Sequence, residues 1–244
     1  MEGDFPCVTL TFAQSLDGKI AGKAGKQLVM SGPESMLMTH WMRSMHDAIL
    51  VGIGTALKDD PQLNTRLLPD TRMPSNIPQP VILDAYLRLR TDCKLLRNFK
   101  EGRGLKPWVC CSPNSEDVEM TARKTALETA GARVITIPFS QASTGLLSIP
   151  HLLHKLRTEG IRSVMVEGGA TVIGTFLGQA AQSHRSGKRI VDTLVVTVAP
   201  KLVGDDGVAY SAGSSGEQLH NVPELKHIRT AVMGRDTVIA GNFS

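Results

Sequence analysis

Three stretches of this sequence carry residue types that can do chemistry together. The first is VGIGTALKDDPQLNTR, residues 51–66. Gly52 and Gly54 follow an apolar run, as in a dinucleotide-binding fingerprint, but Leu57 stands where that motif needs a third glycine for close helix–strand packing. No acidic residue ends a second strand about twenty residues on, as a ribose contact requires. The glycines alone read as a turn below a strand. The residues after them say more: Thr55, Asp59, Asp60, Asn64 and Arg66 set hydroxyl, carboxylate, amide and guanidinium groups beside a strand end. Open α/β sheets bind ligands there.

The second stretch is VMVEGGATVIGTFL, residues 164–177. An apolar strand ends at Glu167, Gly168 and Gly169 follow, and a helix pattern begins at Thr171. Backbone amides without side-chain bulk at a helix N-terminus cradle anions, which suits a pyrophosphate. The plainer alternative is a tight strand-to-helix turn. Glu167 would repel a phosphate, so its carboxylate is expected to face a hydroxyl or amine of a second ligand. The third stretch, SLDGKIAGKAGKQ (15–27), runs from a strand into glycines and three lysines. It is either a basic flap able to reach a phosphate or a plain solvated loop. Arg43 either snorkels at the surface or points along its helix toward a ligand.

Other chemistries find little support. The seven histidines form no HxxxH pair, and His151 and His154 lack cysteine or acidic company. There is no GxSxG elbow and no GxxxxGK[ST] loop, and Asp205-Asp206-Gly207 reads as a turn. A reactive cofactor is then the economical source of chemistry.

The elements that must position these residues follow from periodicity. Strands are expected at 8–13, 48–52, 80–84, 107–111, 133–137, 161–166 and 192–199. Helices are expected at 116–130, 149–159 and 171–181, and another after residue 31, where Ser31 and Glu34 have capping-box spacing. In that helix Leu37, Trp41 and the methionines imply burial on more than one side. Alternating strands and helices, with continuous apolar strands, predict an α/β fold with a mostly parallel central sheet flanked by helices. The tail, around Gly234-Arg235, predicts an antiparallel hairpin at one edge. The proline-bearing stretch 66–80 reads as a surface loop, and residues 1–244 as one domain.

Composition narrows the partners. Aromatics are 4% of the chain, too few for a base-stacking surface, and the net charge of +4 is spread along it, densest at HRSGKR, 184–189. Phosphate-bearing small molecules fit better than nucleic acid. The four cysteines make no CxxC pair, and the acidic N-terminus has no apolar signal core. A cytoplasmic protein, with no membrane segment, is expected.

VTLTFAQSLDGKIA, DAILVGIGTALKDDPQLNTR, PVILDA, VMVEGGATVIGTFL and VDTLVVTVAPKLVG together resemble the riboflavin-biosynthesis reductases, in order and over nearly the whole chain. The run T-x₃-D-D-P-x-L-x-x-R and the E-G-G-x-x helix start carry most of the specificity. With neither HxE nor PCxxC, the chain is similar to the stand-alone fungal and archaeal form and lacks a zinc deaminase portion. The resemblance implies a dihydrofolate-reductase-like fold, a homodimer, and NADPH-dependent reduction of 2,5-diamino-6-ribosylamino-4(3H)-pyrimidinone 5′-phosphate to its ribitylamino product. It implies NADPH contacts at Thr55, Asp59, Ala85 and, as a pyrophosphate loop, Gly168, Gly169, Ala170, Thr171 and Val172. It implies substrate contacts at Lys26, Arg43, Leu63, Arg66 and Glu167, and no metal; Glu167 is also the catalytic candidate. A pterin reductase of the dihydrofolate type and a catalytically silent nucleotide-binding protein are the competing readings, and the phosphate-binding arginines argue against the first.

Overall fold

The computed structural model describes residues 3–68, 77–113, 117–141, 145–186, 189–210 and 224–243, with the backbone alone over 182–186. The chain opens with strands β1 (Cys7–Ser15) and β2 (Lys19–Ala21), helix α1 (Pro33–Ser44), strand β3 (Ala48–Gly52), helix α2 (Ile53–Asp59) and strand β4 (Gln79–Leu83). Next come α3 (Lys94–Lys100), β5 (Trp108–Cys111), α4 (Val118–Thr129), β6 (Arg133–Thr136), α5 (Ile149–Thr158) and β7 (Ser163–Gly168). The last elements are α6 (Ala170–Ser186), β8 (Thr193–Ala199), β9 (Val208–Ala209), β10 (Leu225–Met233) and β11 (Asp236–Phe243). The architecture is a mostly parallel sheet flanked by helices, with a C-terminal antiparallel pair, as the alternation of elements predicts.

The chain divides into two compact units, one of residues 1–6 and 43–164, the other of 7–42 and 165–244. In the first, β3, β4, β5 and β6 lie side by side and parallel. Every residue of β3 is buried, as its unbroken apolar run requires in a sheet covered on both faces. Leu152, Leu153 and Leu156 of α5 are fully buried as well. Asp47 breaks the apolar pattern before β3 for a structural reason. Its carboxylate accepts the backbone N–H groups of Arg162 (2.8 Å) and Ser163 (3.1 Å).

In the second unit β1 lies between β7 and β8, parallel to β8, and β11 joins β8 antiparallel. β10 is the outermost strand and pairs with β11 across Gly234-Arg235. Gly234 has φ +61°, which a two-residue hairpin turn accommodates best with glycine.

Several expectations are corrected. The α1 helix is not buried on several sides: only Ser35 and His40 are buried, while Leu37 and Trp41 are each 38% exposed. Its start is not held by Ser31 and Glu34. Gly32 occupies the cap position, its carbonyl accepting the Met36 N–H, and buried Asp236 of β11 accepts the Gly32 N–H (2.6 Å) and the Ser35 hydroxyl. A carboxylate at a helix N-terminus meets both the unpaired donors and the dipole, so a distant residue does the work of a local cap. The residues after β3 form α2 rather than a turn, and α3 was not anticipated at all. Within the stretches 66–80 and 184–189, residues 69–76 and 187–188 lie outside the described residues. No helix of the described residues is long and apolar enough to cross a membrane.

Cys93, Cys110 and Cys111 are buried and Cys7 is exposed. Burial, with the Cys111 thiol adjacent, pushes Cys110 up to about 12, so no thiolate forms there near neutrality. The folded protein is therefore expected to react with a disulfide reagent at Cys7 alone. Cys93, Cys110 and Cys111 should react only after denaturation, as a two-stage thiol titration would record.

Candidate functional site

The polar stretch after β3 is organised by the first unit's sheet. Gly52, in extended conformation, starts α2, and Thr55 and Asp59 fall one helical turn apart on the same side of it, both half-buried. Burial pushes the Asp59 carboxyl above its ordinary range, opposed by the ammonium of Lys58. Asp60 ends the helix in the left-handed region (φ +40°). It is engaged within the fold: its Oδ1 accepts the Lys94 N–H (2.8 Å) and so caps α3, while Arg97 Nη2 lies 3.7 Å from Oδ2.

Beyond Pro61 the chain turns on Leu63, which is 1% exposed and has φ +45°. A buried leucine anchors the loop, and its left-handed backbone turns Asn64 onto two arginines. Arg43 Nη1 donates to the Asn64 carbonyl (3.1 Å), and Arg66 Nη1 donates to the Asn64 side-chain oxygen (3.1 Å). Two guanidinium groups are thus collected by one residue, although Arg43 comes from the end of α1 and Arg66 from the loop. Arg66 is exposed and Arg43 half-buried. Such a pair is suited to a doubly charged oxyanion, because guanidinium forks match phosphate oxygens.

Ala85 follows the neighbouring strand end: Gly52 of β3 pairs with Leu83 of β4, so α2 and the turn at 84–87 leave the sheet from the same edge. The Ala85 carbonyl accepts both the N–H (3.1 Å) and the hydroxyl (2.8 Å) of Ser112. The turn is fixed further by Asp84, fully buried, whose Oδ2 accepts the Leu89 N–H (2.8 Å). Burial pushes the Asp84 carboxyl up, against the Leu89 N–H and the Arg88 guanidinium. Ser112 and Asp84 were not singled out from sequence. The strand-terminal aspartate of PVILD was the available signal for the second.

In the second unit Glu167 is the penultimate residue of β7 and half-buried. Gly168 and Gly169 have φ +89° and +99°, and α6 begins at Ala170. A Cβ at Gly168 would come within 2.6 Å of Ile173 Cγ1, so only glycine lets the chain enter the helix this way. The Gly169 carbonyl accepts the Ile173 N–H (3.0 Å), the first bond of the helix, which leaves the amides of Ala170, Thr171 and Val172 without intrahelical acceptors. No acidic residue sits in that first turn. The donors therefore fit a pyrophosphate. Lys26 is exposed on the flap after β2, its carbonyl accepting the Gly22 N–H (2.8 Å). Among the described residues no group of three or more His, Cys, Asp and Glu side chains could hold a metal ion.

Comparison with known proteins gives the same direction. The RibD C-terminal domain profile matches residues 6–239. The chain is 37% identical over 217 residues to the 2,5-diamino-6-ribosylamino-4(3H)-pyrimidinone 5′-phosphate reductase of Debaryomyces hansenii, covering 86% of this chain and 82% of that one. It is 35% identical to the reductase of the same name from Eremothecium gossypii, covering 98% and 89%. Among solved structures, the Saccharomyces cerevisiae riboflavin biosynthesis reductase Rib7 superposes with a TM-score of 0.75 at 29% identity, covering 100% of this chain and 92% of the other.

Proposed function

We propose, since the chain belongs to the RibD C-terminal domain family, that it is the NADPH-dependent reductase of 2,5-diamino-6-ribosylamino-4(3H)-pyrimidinone 5′-phosphate in riboflavin biosynthesis. The observation that carries the substrate half of this reading is the pair of guanidiniums gathered on Asn64. A pterin has no need of such a pair, whereas a ribosyl phosphate does.

The residues divide by ligand. Gly168, Gly169, Ala170, Thr171 and Val172 would hold the cofactor pyrophosphate through backbone amides, and Thr55, Asp59 and Ala85 would make its further polar contacts. When bound, the reduced nicotinamide supplies a hydride. Arg43 and Arg66 bind the substrate phosphate, buried Leu63 sets the loop that carries Arg66, and Lys26 makes a further substrate contact. The substrate's ribose must open before reduction: a proton goes to the ring oxygen, the C1′–O bond breaks as the nitrogen lone pair moves in, and C1′ is left as an iminium carbon, which a hydride would convert to the neutral amine. Glu167 orients the ribose hydroxyls and carries the proton for that opening. The enzyme works in the cytoplasm as a homodimer.

The test is oxidation of NADPH on adding the ribosylaminopyrimidine phosphate, with dihydrofolate as control. Turnover of the second and not the first would replace this reading by the pterin one. Within it, Arg66→Ala should raise KM for the substrate roughly 10- to 100-fold, the value of a charge-assisted hydrogen bond, and leave kcat nearly unchanged. Arg66→Lys should recover only part of the loss, because a point charge cannot reproduce the fork. An unaltered KM would remove Arg66 from phosphate binding.

A further inference from the structure

The last residues of the parallel neighbours β1 and β8, Ser15 and Ala199, are paired in register, so the segments after them leave the sheet side by side. One is the lysine flap 16–27 and the other is the run 200–209. The side chain of Asp17 joins them. Its Oδ1 accepts the Ser15 hydroxyl (2.5 Å) and the Val203 N–H (3.1 Å), and its Oδ2 accepts the Gly204 N–H (2.7 Å). The Ser15 oxygen in turn accepts the Lys19 N–H (2.9 Å), which carries the tie into β2. Leu16 donates to the Lys201 carbonyl (2.9 Å), and β2 pairs with β9, Lys19 opposite Ala209 and Ala21 opposite Val208. The two segments are close: a Cβ on Gly207 would lie 2.7 Å from Val203 Cγ1 and 2.9 Å from Lys19 Cγ. With the Ser15 hydroxyl foremost among these donors, the Asp17 carboxyl is held down at about 2 although the residue is exposed.

A turn by itself does not call for this arrangement. The Asp-Gly turn closes with one bond, from the Gly18 N–H to the Ser15 carbonyl (3.0 Å). The Asp17 carboxylate reaches beyond that turn to a second loop, and the flap it fixes has a defined shape, with Ala24 and Gly25 at φ +55° and +75°. Lys23 is neutralised by Asp206 (3.0 Å), whereas Lys19 and Lys26 have no ion-pair partner among the described residues. Both loops leave the carboxyl ends of parallel strands, where ligands of open sheets bind.

We infer that Asp17 is a positioning residue: its carboxylate clamps the lysine flap to the 200–209 run, and so fixes Lys26 as a positive charge for an anionic ligand. The identity of that ligand rests on the reductase reading above. Two substitutions open the clamp from opposite sides. Asp17→Asn turns one acceptor into a donor that faces backbone N–H groups, and Gly207→Ala wedges Val203 away from Lys19. Each is expected to raise KM for the ribosylaminopyrimidine phosphate about tenfold, the worth of one charge-assisted hydrogen bond. Neither should change kcat or the affinity for NADPH. Trypsin should cut both variants after Lys19, Lys23 and Lys26 faster than the parent protein, under conditions where each remains folded by circular dichroism. A KM equal to the parent's in both variants overturns the inference, even if cleavage accelerates, and unchanged cleavage overturns the clamp itself. A parent protein that never turns over this substrate overturns the reductase reading and the ligand named here with it, while the trypsin comparison still decides the clamp.

Discussion

Glu167→Gln is expected to lower kcat about 100-fold or more while leaving NADPH affinity intact, since positioned proton transfer is worth roughly 10²–10⁴ in rate. The side chain is half-buried, at the end of β7, directly before two glycines that hold no side chain of their own. Gln keeps the volume and the ability to bond a ribose hydroxyl, but it cannot carry a proton to the ring oxygen. The loss should therefore fall on kcat, with KM changed little. Single-turnover measurement with NADPH in excess separates this from slow product release. A Gln variant that turns over at the parent rate removes Glu167 from proton transfer and leaves it, at most, a hydroxyl-orienting group.

Gly168→Ala should be strongly damaging for the weight of one methyl. The left-handed backbone, φ +89°, costs an L-residue about 1–2 kcal/mol. The new Cβ would also sit 2.6 Å and 2.8 Å from Cγ1 and Cδ1 of Ile173, which is 1% exposed and cannot swing into solvent. Overpacking of that kind costs about 1–3 kcal/mol, so a total near 2–5 kcal/mol is expected, or a fall in Tm of roughly 5–15 °C. Because the strain is relieved by shifting the start of α6, the amides of 170–172 move with it. NADPH should bind at least about tenfold more weakly, one lost hydrogen bond being enough for that. Adding Ile173→Ala should make the double variant less destabilised than the two single losses summed, since one clash is then removed. Strict additivity would mean that the contact with Ile173 is not what makes Gly168 necessary.

Much of the fold was legible because its strands are buried on both faces and read as unbroken apolar runs. The run AILVG predicts a strand at 48–52, and β3 covers the same residues. The helices α4, α5 and α6 were anticipated because each is ten residues or longer and ends near a glycine or carries a clear apolar face. The helices missed, α2 and α3, are seven residues each, and the strands missed, β2 and β9, are three and two. At such lengths periodicity completes barely two turns of a helix or one repeat of a strand, and tertiary packing decides the conformation. The apolar side chains of α1 misled for another reason. Leu37 and Trp41 look like core residues, yet apolar side chains make up much of any protein surface.

The sequence by itself determined which chemical groups stand at the strand ends, because strand periodicity and paired glycines are local properties. It identified Thr55, Asp59, Arg66, Glu167 and the Gly168-Gly169 turn as a set worth explaining. Only the tertiary structure decided which of those groups are already committed. Asp60 is bound to the start of α3, Asn64 gathers Arg43 and Arg66, Asp236 caps a helix some 200 residues earlier in the chain, and Asp17 grips a loop beyond β8. A carboxylate's role depends on which donors surround it, and those donors come from residues distant in sequence that only the folded sheet brings within hydrogen-bond reach.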